Sequence, residues 1–197
     1  HPARRARAQM ELCEGGTLRN LLDREGSALC QPHAEPRVWE MVLQIARGLG
    51  HIHGNDVIHC DIKPDNILIS LDGTYKIGDL GQSTTLKAWD EHEGDACYLS
   101  RDLLASNPST AADIFSFGIM MYEVKSGEQL PGSGDRWNLL RSGAVQCEPA
   151  VCGPALGQLI FSMMQPNPVA RPSAPQILHA CCNAQAQAAA GAAMAAA

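Results

Sequence analysis

Residues 59–66, with the sequence HCDIKPDN, and Asp79 further along the chain are the residues best suited to do chemistry. The carboxylate of Asp61 could accept a proton, and the ammonium group of Lys63 could stabilise developing negative charge. Asn66 and Asp79 could each offer an oxygen to magnesium, an ion that prefers hard oxygen ligands. Taken one at a time, these residues would be interpreted as a capping Asp, a surface Lys and a turn Asn. Their presence together, in this order, favours a reaction site.

Short strands are predicted on both sides of this segment. Residues 57–58 precede it as a short buried strand, and residues 67–69 and 75–77 follow it. Residues 72–73, the favoured turn pair Asp-Gly, join the last two strands into a hairpin. We therefore expect residues 55–81 to form loops framed by short strands, a setting in which reactive side chains are commonly displayed.

Apolar residues recur at three- and four-residue steps in several other segments, a spacing that predicts helices. The first runs over residues 38–54, and we expect Gly54 to end it in the left-handed conformation. The second, over residues 111–127, is apolar on most sides and should be central. The third covers residues 156–163, and residues 177–178 belong to a last short helix.

The composition is that of one globular domain of 197 residues, with 45% apolar and 18% charged residues. The net charge of −6 disfavours nucleic-acid binding, and the basic run Arg4, Arg5, Arg7 is interpreted as a solvated end. Eight cysteines show no paired metal-ligand spacing, so we expect free thiols in an intracellular protein, nuclear or cytoplasmic. No apolar run approaches the roughly 20 residues of a membrane span.

The order of Asp61, Lys63 and Asn66, followed by Asp79 with Leu-Gly behind it, resembles the catalytic loop and metal-binding triplet of protein kinases. The resemblance implies that Asp61 accepts the proton of the attacking substrate hydroxyl. Lys63 would then stabilise the migrating phosphoryl group. Asn66 and Asp79 would bind the Mg²⁺ ions that hold the phosphates of ATP.

Upstream, residues 10–16 (MELCEGG) resemble the hinge of the kinases and the turn after it. In that reading backbone groups of Glu11 and Cys13 meet the adenine edge, and Gly16 leaves space beside the ribose. Leu68 would form the apolar floor under the adenine ring. Without the catalytic loop nearby, a plain loop and a core Leu would be the preferred interpretation.

Three residues downstream are expected to support the site. Asp113 falls where kinases place a buried Asp that accepts backbone amide hydrogen bonds from the catalytic loop, and it also suits the first turn of a helix. Asp102 occupies the place of the acidic residue that ends the activation segment, and Arg171 that of its ion-pair partner. We interpret this pair as structural.

Departures from the general kinase pattern narrow the resemblance. Cys60 replaces the Arg that usually precedes the catalytic Asp, and Leu80 replaces the Phe of the metal triplet. Residues 9–180 are similar to the Wee/Myt group of cell-cycle kinases, and the motifs that carry this similarity are residues 76–81 (KIGDLG), 93–95 (EGD), 112–115 (ADIF) and 130–131 (LP).

Charge considerations add two expectations. In many kinases the Arg before the catalytic Asp binds a phosphate added to the activation segment, and Cys60 cannot do so. Activity should therefore not depend on that phosphorylation. Asp95 stands where a Thr usually contacts the catalytic loop, and we expect it to approach Lys63. Cys97 stands where an Arg is usual, and residues 100–102 have the sequence SRD. We expect these departures to affect the docking of the substrate more than the transfer of phosphate.

The resemblance implies a cyclin-dependent kinase as the protein substrate, phosphorylated on a Tyr or an adjacent Thr. Lys63-Pro-Asp-Asn66 looks like the loop of serine/threonine kinases, so the acceptor type stays open. One alternative is a non-catalytic kinase-like scaffold that binds a cell-cycle partner. Another is a kinase of the translation-initiation-factor type, because residues 9–13 also resemble the hinges of those enzymes.

The predicted fold is thus α+β and protein-kinase-like, a mainly helical C-lobe with short strands and with the N-lobe mostly absent. Residues 1–8 would be an N-lobe remnant or a disordered end, residues 9–182 the hinge and C-lobe, and residues 183–197 an Ala-rich low-complexity tail. Because a glycine-rich loop and an upstream Lys for the phosphates would precede the hinge, and the chain starts at His1, we expect a fragment that is inactive by itself.

Overall fold

A computed structural model describes residues 10–85, 94–145 and 152–195. The helices in these ranges are α1 (Leu18–Leu29), α2 (Glu35–Gly54), α3 (Arg101–Leu104), α4 (Thr110–Ser126), α5 (Gly134–Leu140), α6 (Pro154–Met163) and α7 (Ala174–Ala195). The strands are β1 (Val57–Ile58), β2 (Ile67–Ile69), β3 (Tyr75–Ile77) and β4 (Thr84–Thr85). The mainly helical α+β class with short strands is confirmed.

Helix α4 is the centre of the molecule. Every residue from Ala112 to Lys125 is buried, as expected for a helix that is apolar on nearly all sides. Gly118 lets α6 approach closely, because a Cβ atom there would lie 2.7 Å from the Cβ of Met163. The helix ends before Gly127, whose φ of 66° is left-handed, so the predicted central helix and its stop are both confirmed.

Helix α2 buries the predicted apolar face, which includes Val38, Ile45 and Leu49, and packs against α7 and β3. The predicted end at Gly54 is confirmed, but the predicted left-handed conformation of this glycine is wrong. The left-handed residue is Asp56, two positions after the helix, with φ of 56°. Asp tolerates this conformation better than most side chains because its short polar group can hydrogen-bond locally.

The predicted hairpin is confirmed. Strands β2 and β3 are antiparallel, with Ile67 opposite Ile77 and Ile69 opposite Tyr75, and Gly73 in their turn has φ of 84°. Strand β1 pairs with β4, a strand that sequence patterns did not predict. The two small sheets frame the loop formed by residues 59–66.

Helix α7 differs most from expectation. It has 22 residues instead of forming a short helix, and it runs without interruption into the Ala-rich segment. Alanine has the highest helix propensity, which accounts for this continuation. The domain boundaries proposed above stay predictions. Helix α1 was also missed, although Thr17 and Asn20 form a capping box at its start.

Several expectations concern residues outside the described ranges, namely Arg4, Arg5, Arg7, Gln9, Glu93 and Cys147. The seven cysteines that the structure describes have free thiols. Across the described ranges, no set of three or more His, Cys, Asp and Glu residues is grouped to hold a metal ion. None of the helices described above is long and apolar enough to cross a membrane.

Substituting Gly118→Ala should lower the free energy of unfolding by about 1–3 kcal/mol, because the new methyl group overlaps Met163 where α4 and α6 meet. Gly26→Ala in α1 is the matched control, since a Cβ there meets no atom within 4 Å. The control should be neutral or more stable by up to about 1 kcal/mol. Urea denaturation measures both, and equal stabilities for the two variants would contradict the packing described here.

Candidate active site

His59 connects the loop of residues 59–66 to the hairpin. Its ring is fully buried, and Nε2 donates to the carbonyl oxygen of Gly78 over 2.9 Å. The other ring nitrogen, Nδ1, accepts from the backbone N–H of Asp61 at 3.3 Å. One neutral tautomer satisfies both contacts. Sequence reasoning assigned no role to His59, yet it joins the loop to the residue directly before Asp79.

Asp61, Lys63 and Asn66 are in direct contact, as their spacing predicted. The Lys63 ammonium lies 2.9 Å from Oδ2 of Asp61, and Nδ2 of Asn66 donates to the same oxygen over 2.8 Å. Nδ2 of Asn66 also donates to the Asp61 carbonyl oxygen at 2.8 Å. None of the described residues donates to Oδ1 of Asp61. The carboxylate is therefore held by one oxygen while the other can face an acceptor.

Asp79 lies at the same end of the hairpin as Asn66. Asn66 directly precedes β2, and Gly78 alone separates Asp79 from the end of β3. The Gly78 N–H donates to the Asn66 carbonyl oxygen over 2.8 Å. Asp79 is left-handed, with φ of 53°, and its Oδ1 accepts from the N–H of Gly81 at 3.1 Å. A glycine at position 78 leaves room for the Leu68 side chain, because a Cβ atom there would lie 2.8 Å from it.

The oxygen atoms at this end of the hairpin fit a hard cation. Asn66 uses its Nδ2 for Asp61, so its amide oxygen remains as a possible ligand, and Asp79 retains Oδ2. One amide and one carboxylate oxygen, with water and phosphate oxygens completing the shell, is a set that suits Mg²⁺. The assignment of Asn66 and Asp79 as metal ligands stays a prediction that this geometry fits.

The charge of Lys63 is maintained by its surroundings. Partial burial disfavours the ammonium, but the hydrogen bond and charge of Asp61 outweigh it and raise the pKa of Lys63. The carboxylates of Asp95 and Asp65 act in the same direction. Asp95 was expected to approach Lys63, and its carboxylate is near enough for its charge to help raise the pKa of that ammonium group. The Oδ1 atom of Asp95 accepts from the backbone N–H of Cys97 at 3.0 Å.

The residues expected beside the nucleotide fall into two groups. Gly16 and Leu68 are brought together, because the hinge-like segment pairs with β2 through the Ile69 N–H and the Gly16 carbonyl at 2.8 Å. Gly16 has φ of 81°, and Thr17 lies opposite Leu68. This pairing places Leu68 next to the turn that follows the hinge-like residues.

The second group, Glu11 and Cys13, lies near Lys76 of β3. The Glu11 carboxylate is bound on both oxygens by Lys76 of β3, at 2.7 and 2.6 Å, in an exposed ion pair. Cys13 is half-buried. The roles predicted for Glu11 and Cys13 depend on backbone groups, and they stay predictions.

Asp113 anchors the loop, as expected. This carboxylate is 1% exposed and accepts from the backbone N–H groups of His59 and Cys60, each at 2.9 Å. It also contacts Nε2 of His53 at 2.8 Å, a partner that sequence reasoning missed. Because Asp113 lies in the first turn of α4, it connects the loop to the central helix.

Cys60 faces inward. Its backbone is left-handed, with φ of 67°, and the residue is 4% exposed. Burial, together with the nearby charges of Asp113 and Asp61, raises the pKa of the Cys60 thiol to about 12. The side chain is thus a neutral buried group at physiological pH, which cannot bind a phosphate.

Asp102 and Arg171 form the expected ion pair. The two guanidinium nitrogens of Arg171 meet the two carboxylate oxygens at 2.6 and 3.1 Å, with both side chains buried. Arg171 also donates to the carbonyl oxygens of Ala111, Gln165 and Pro166. The pair joins the start of α3 to the segment before α7.

A further network was not predicted. Arg19 of α1 binds Glu123 of α4 at 2.9 Å and the hydroxyl of Tyr98 at 2.6 Å, and Tyr98 in turn donates to Glu123 at 2.7 Å. Arg19 also lies 3.7 Å from the carboxylate of Asp65 in the loop. Arg19 and Glu123 are 104 residues apart, so no local pattern could have revealed the contact.

Comparison with known families and proteins agrees with this geometry. The profile of the protein kinase domain matches residues 5–181, and the chain therefore belongs to the protein kinase family. It is 42% identical over 70% of its length to a probable protein kinase of Dictyostelium discoideum. It is 36% identical over 81% to the mitosis inhibitor protein kinase wee1 of Schizosaccharomyces pombe. It is 39% identical over 86% to the membrane-associated tyrosine- and threonine-specific cdc2-inhibitory kinase of Drosophila melanogaster.

These relatives confirm the resemblance to Wee-type kinases. The chain spans 40%, 18% and 32% of the lengths of the three relatives, in the order given.

A double-mutant cycle on Asp102→Ala and Arg171→Ala should give a coupling energy of about 1–3 kcal/mol in unfolding, because each single change leaves a buried charge without its partner. The matched control is the exposed pair Arg37 and Glu25, joined at 2.8 Å, whose coupling energy should be much smaller because water screens both charges. Additive effects at the buried pair would show that it has no structural role.

Proposed function

We propose that the protein transfers the γ-phosphate of ATP to a protein hydroxyl, and that it is a Wee-type inhibitory kinase acting on a Tyr, or an adjacent Thr, of a cyclin-dependent kinase. The observation that carries the proposal is the shared contact of Lys63 and Asn66 with one oxygen of Asp61, with Asp79 at the same end of the hairpin. The names of the relatives support the choice of substrate.

The arrangement suggests how the side chains divide the work. Asn66 and Lys63 orient the Asp61 carboxylate through Oδ2, so that Oδ1 can accept the proton of the attacking hydroxyl. The Lys63 ammonium stabilises the negative charge that develops on the transferred group. Mg²⁺ and ATP, when bound through Asn66 and Asp79, supply the phosphoryl group and neutralise its charge.

The alternatives are less well supported. A scaffold that only binds a cell-cycle partner would not need these four residues close together: Asp61, Lys63, Asn66 and Asp79. The hinge-like residues that resemble translation-initiation-factor kinases do not outweigh the Glu-Gly-Asp motif at residues 93–95. An intracellular location, nuclear or cytoplasmic, accompanies the proposal and is supported by the free thiols of the described cysteines.

Asp61→Asn in the full-length protein should lower kcat by about 100-fold or more, because the proton acceptor is removed while the shape is kept. The KM for ATP should change by less than about twofold. Asp56→Asn is the matched control, since this exposed left-handed position tolerates Asn and lies outside the loop. Transfer of labelled phosphate to a cyclin-dependent kinase measures both variants, and an Asp61→Asn enzyme of normal rate would refute the proposed role.

Phosphatase treatment of the full-length enzyme should leave the rate unchanged within about twofold, because the buried neutral Cys60 cannot bind a phosphate on the activation segment. The treated and untreated enzymes are compared with the same acceptor, and mass spectrometry verifies that the phosphate has been removed. A loss of most of the activity would mean that another cation binds such a phosphate.

A further inference from the structure

Arg141, which directly follows α5, has one of the largest fully buried side chains and is 1% exposed. Its guanidinium group donates to the carbonyl oxygen of Leu99 at 2.8 Å, of Cys97 at 2.9 Å and of Ala96 at 3.2 Å. A fourth hydrogen bond goes to the carbonyl of Trp137 at 3.3 Å. Three of the four acceptors therefore belong to one short segment, residues 96–99.

This buried cation has no carboxylate partner among the described residues. Burial lowers the pKa of Arg141 to about 10, against a small opposing effect of Cys97, so the side chain remains charged at neutral pH. A buried charge is costly unless other groups compensate it. Here the carbonyl dipoles of residues 96–99 compensate the charge of Arg141. The burial of that charge and the backbone conformation of the segment therefore depend on each other.

Other side chains complete the support of the same segment. Trp137 stacks on the guanidinium group at 3.9 Å and donates through Nε1 to the Ala96 carbonyl at 2.8 Å. Ser116 of α4 donates to the Tyr98 carbonyl at 2.9 Å. The four consecutive carbonyl oxygens of residues 96–99 thus each accept from a side chain, in a part of the chain outside any helix or strand.

The segment adjoins the catalytic loop. A Cβ atom at Gly94 would lie 3.1 Å from the carbonyl oxygen of Cys60, so the two backbones are in close approach. Tyr98 belongs to the network of Arg19 and Glu123 described above, which reaches Asp65 in the loop. Gly16 and Leu68, by contrast, lie together at β2.

We propose that Arg141 is a positioning residue that sets the backbone of residues 96–99 as the wall beside Asp61 against which the acceptor segment of a protein substrate lies. The inference rests on the proposed function. It predicts that Arg141 affects the use of the protein acceptor and leaves the binding of ATP unchanged, because its hydrogen bonds go to residues 96–99 and to Trp137 and not to Gly16, Leu68 or the predicted metal ligands.

The kinetic experiment compares Arg141→Lys with the unchanged full-length protein. Lysine keeps the charge but lacks the planar guanidinium fork that bonds the carbonyl oxygens of residues 96, 97 and 99 and stacks on Trp137. We expect kcat/KM for the protein acceptor to fall about tenfold, while the KM for ATP and the slow transfer of phosphate to water stay within about twofold. Arg136→Lys, in α5, is the matched control, because Arg136 bonds Glu128 and Tyr122 and not residues 96–99.

A second measurement does not depend on catalysis. The backbone amides of Cys97, Tyr98 and Leu99 are hydrogen-bonded to Asp95, and their hydrogen exchange reports the order of the segment. In Arg141→Lys these amides should exchange about fivefold faster or more, with the amides in the centre of α2 unchanged. If Arg141→Lys fails to fold, Trp137→Phe, which removes the hydrogen bond to Ala96 but keeps an aromatic ring beside the guanidinium group, should show a smaller change of about threefold in the same amides.

The outcomes separate the two proposals. Unchanged exchange of residues 97–99, or equal losses for ATP and for the protein acceptor, would overturn the role of Arg141. A wild-type protein that phosphorylates no acceptor would refute the proposed function, and faster exchange would then still establish that Arg141 orders this segment while its use for a substrate is refuted.

Discussion

The catalytic loop depends on one buried carboxylate, that of Asp113. It accepts hydrogen bonds from the backbone of His59 and Cys60 and contacts the ring of His53, so three segments meet at a single charged group. A buried carboxylate is stable only when donors surround it, and the loop provides two of them. The position of Asp61 therefore follows from the position of α4, the central helix.

The hairpin supplies the second constraint. Its register places Asn66 and Asp79 at the same end, and His59 joins that end to the loop through Gly78. A shift of one residue would move every side chain of the strand to the opposite face. Asp61, the predicted proton acceptor, and the predicted metal ligands are thus arranged by backbone pairing together with one buried ring.

Three arginines hold the segment of residues 96–102 and its surroundings. Arg171 binds Asp102, Arg19 binds Glu123, and Arg141 donates hydrogen bonds to carbonyl oxygens, while Cys60 stands where kinases usually have an Arg. A segment that permanent side chains already order does not need an added phosphate for that purpose. This is the physical basis for expecting activity that does not depend on phosphorylation of the activation segment.

The sequence by itself determined the kinase class and the helices over α2, α4 and α6, because helical spacing and the order of Asp61, Lys63 and Asn66 are local patterns. The roles of those three residues in the reaction stay predictions. It also allowed the anchoring role of Asp113 and the Asp102–Arg171 pair to be predicted through family resemblance. Only the tertiary structure decided the partners of Arg19 and Arg141, the role of His59 and the left-handed residue at Asp56. Those features depend on which distant atoms lie within hydrogen-bond distance, or on how a turn packs, and the local spacing of residues contains no information about either.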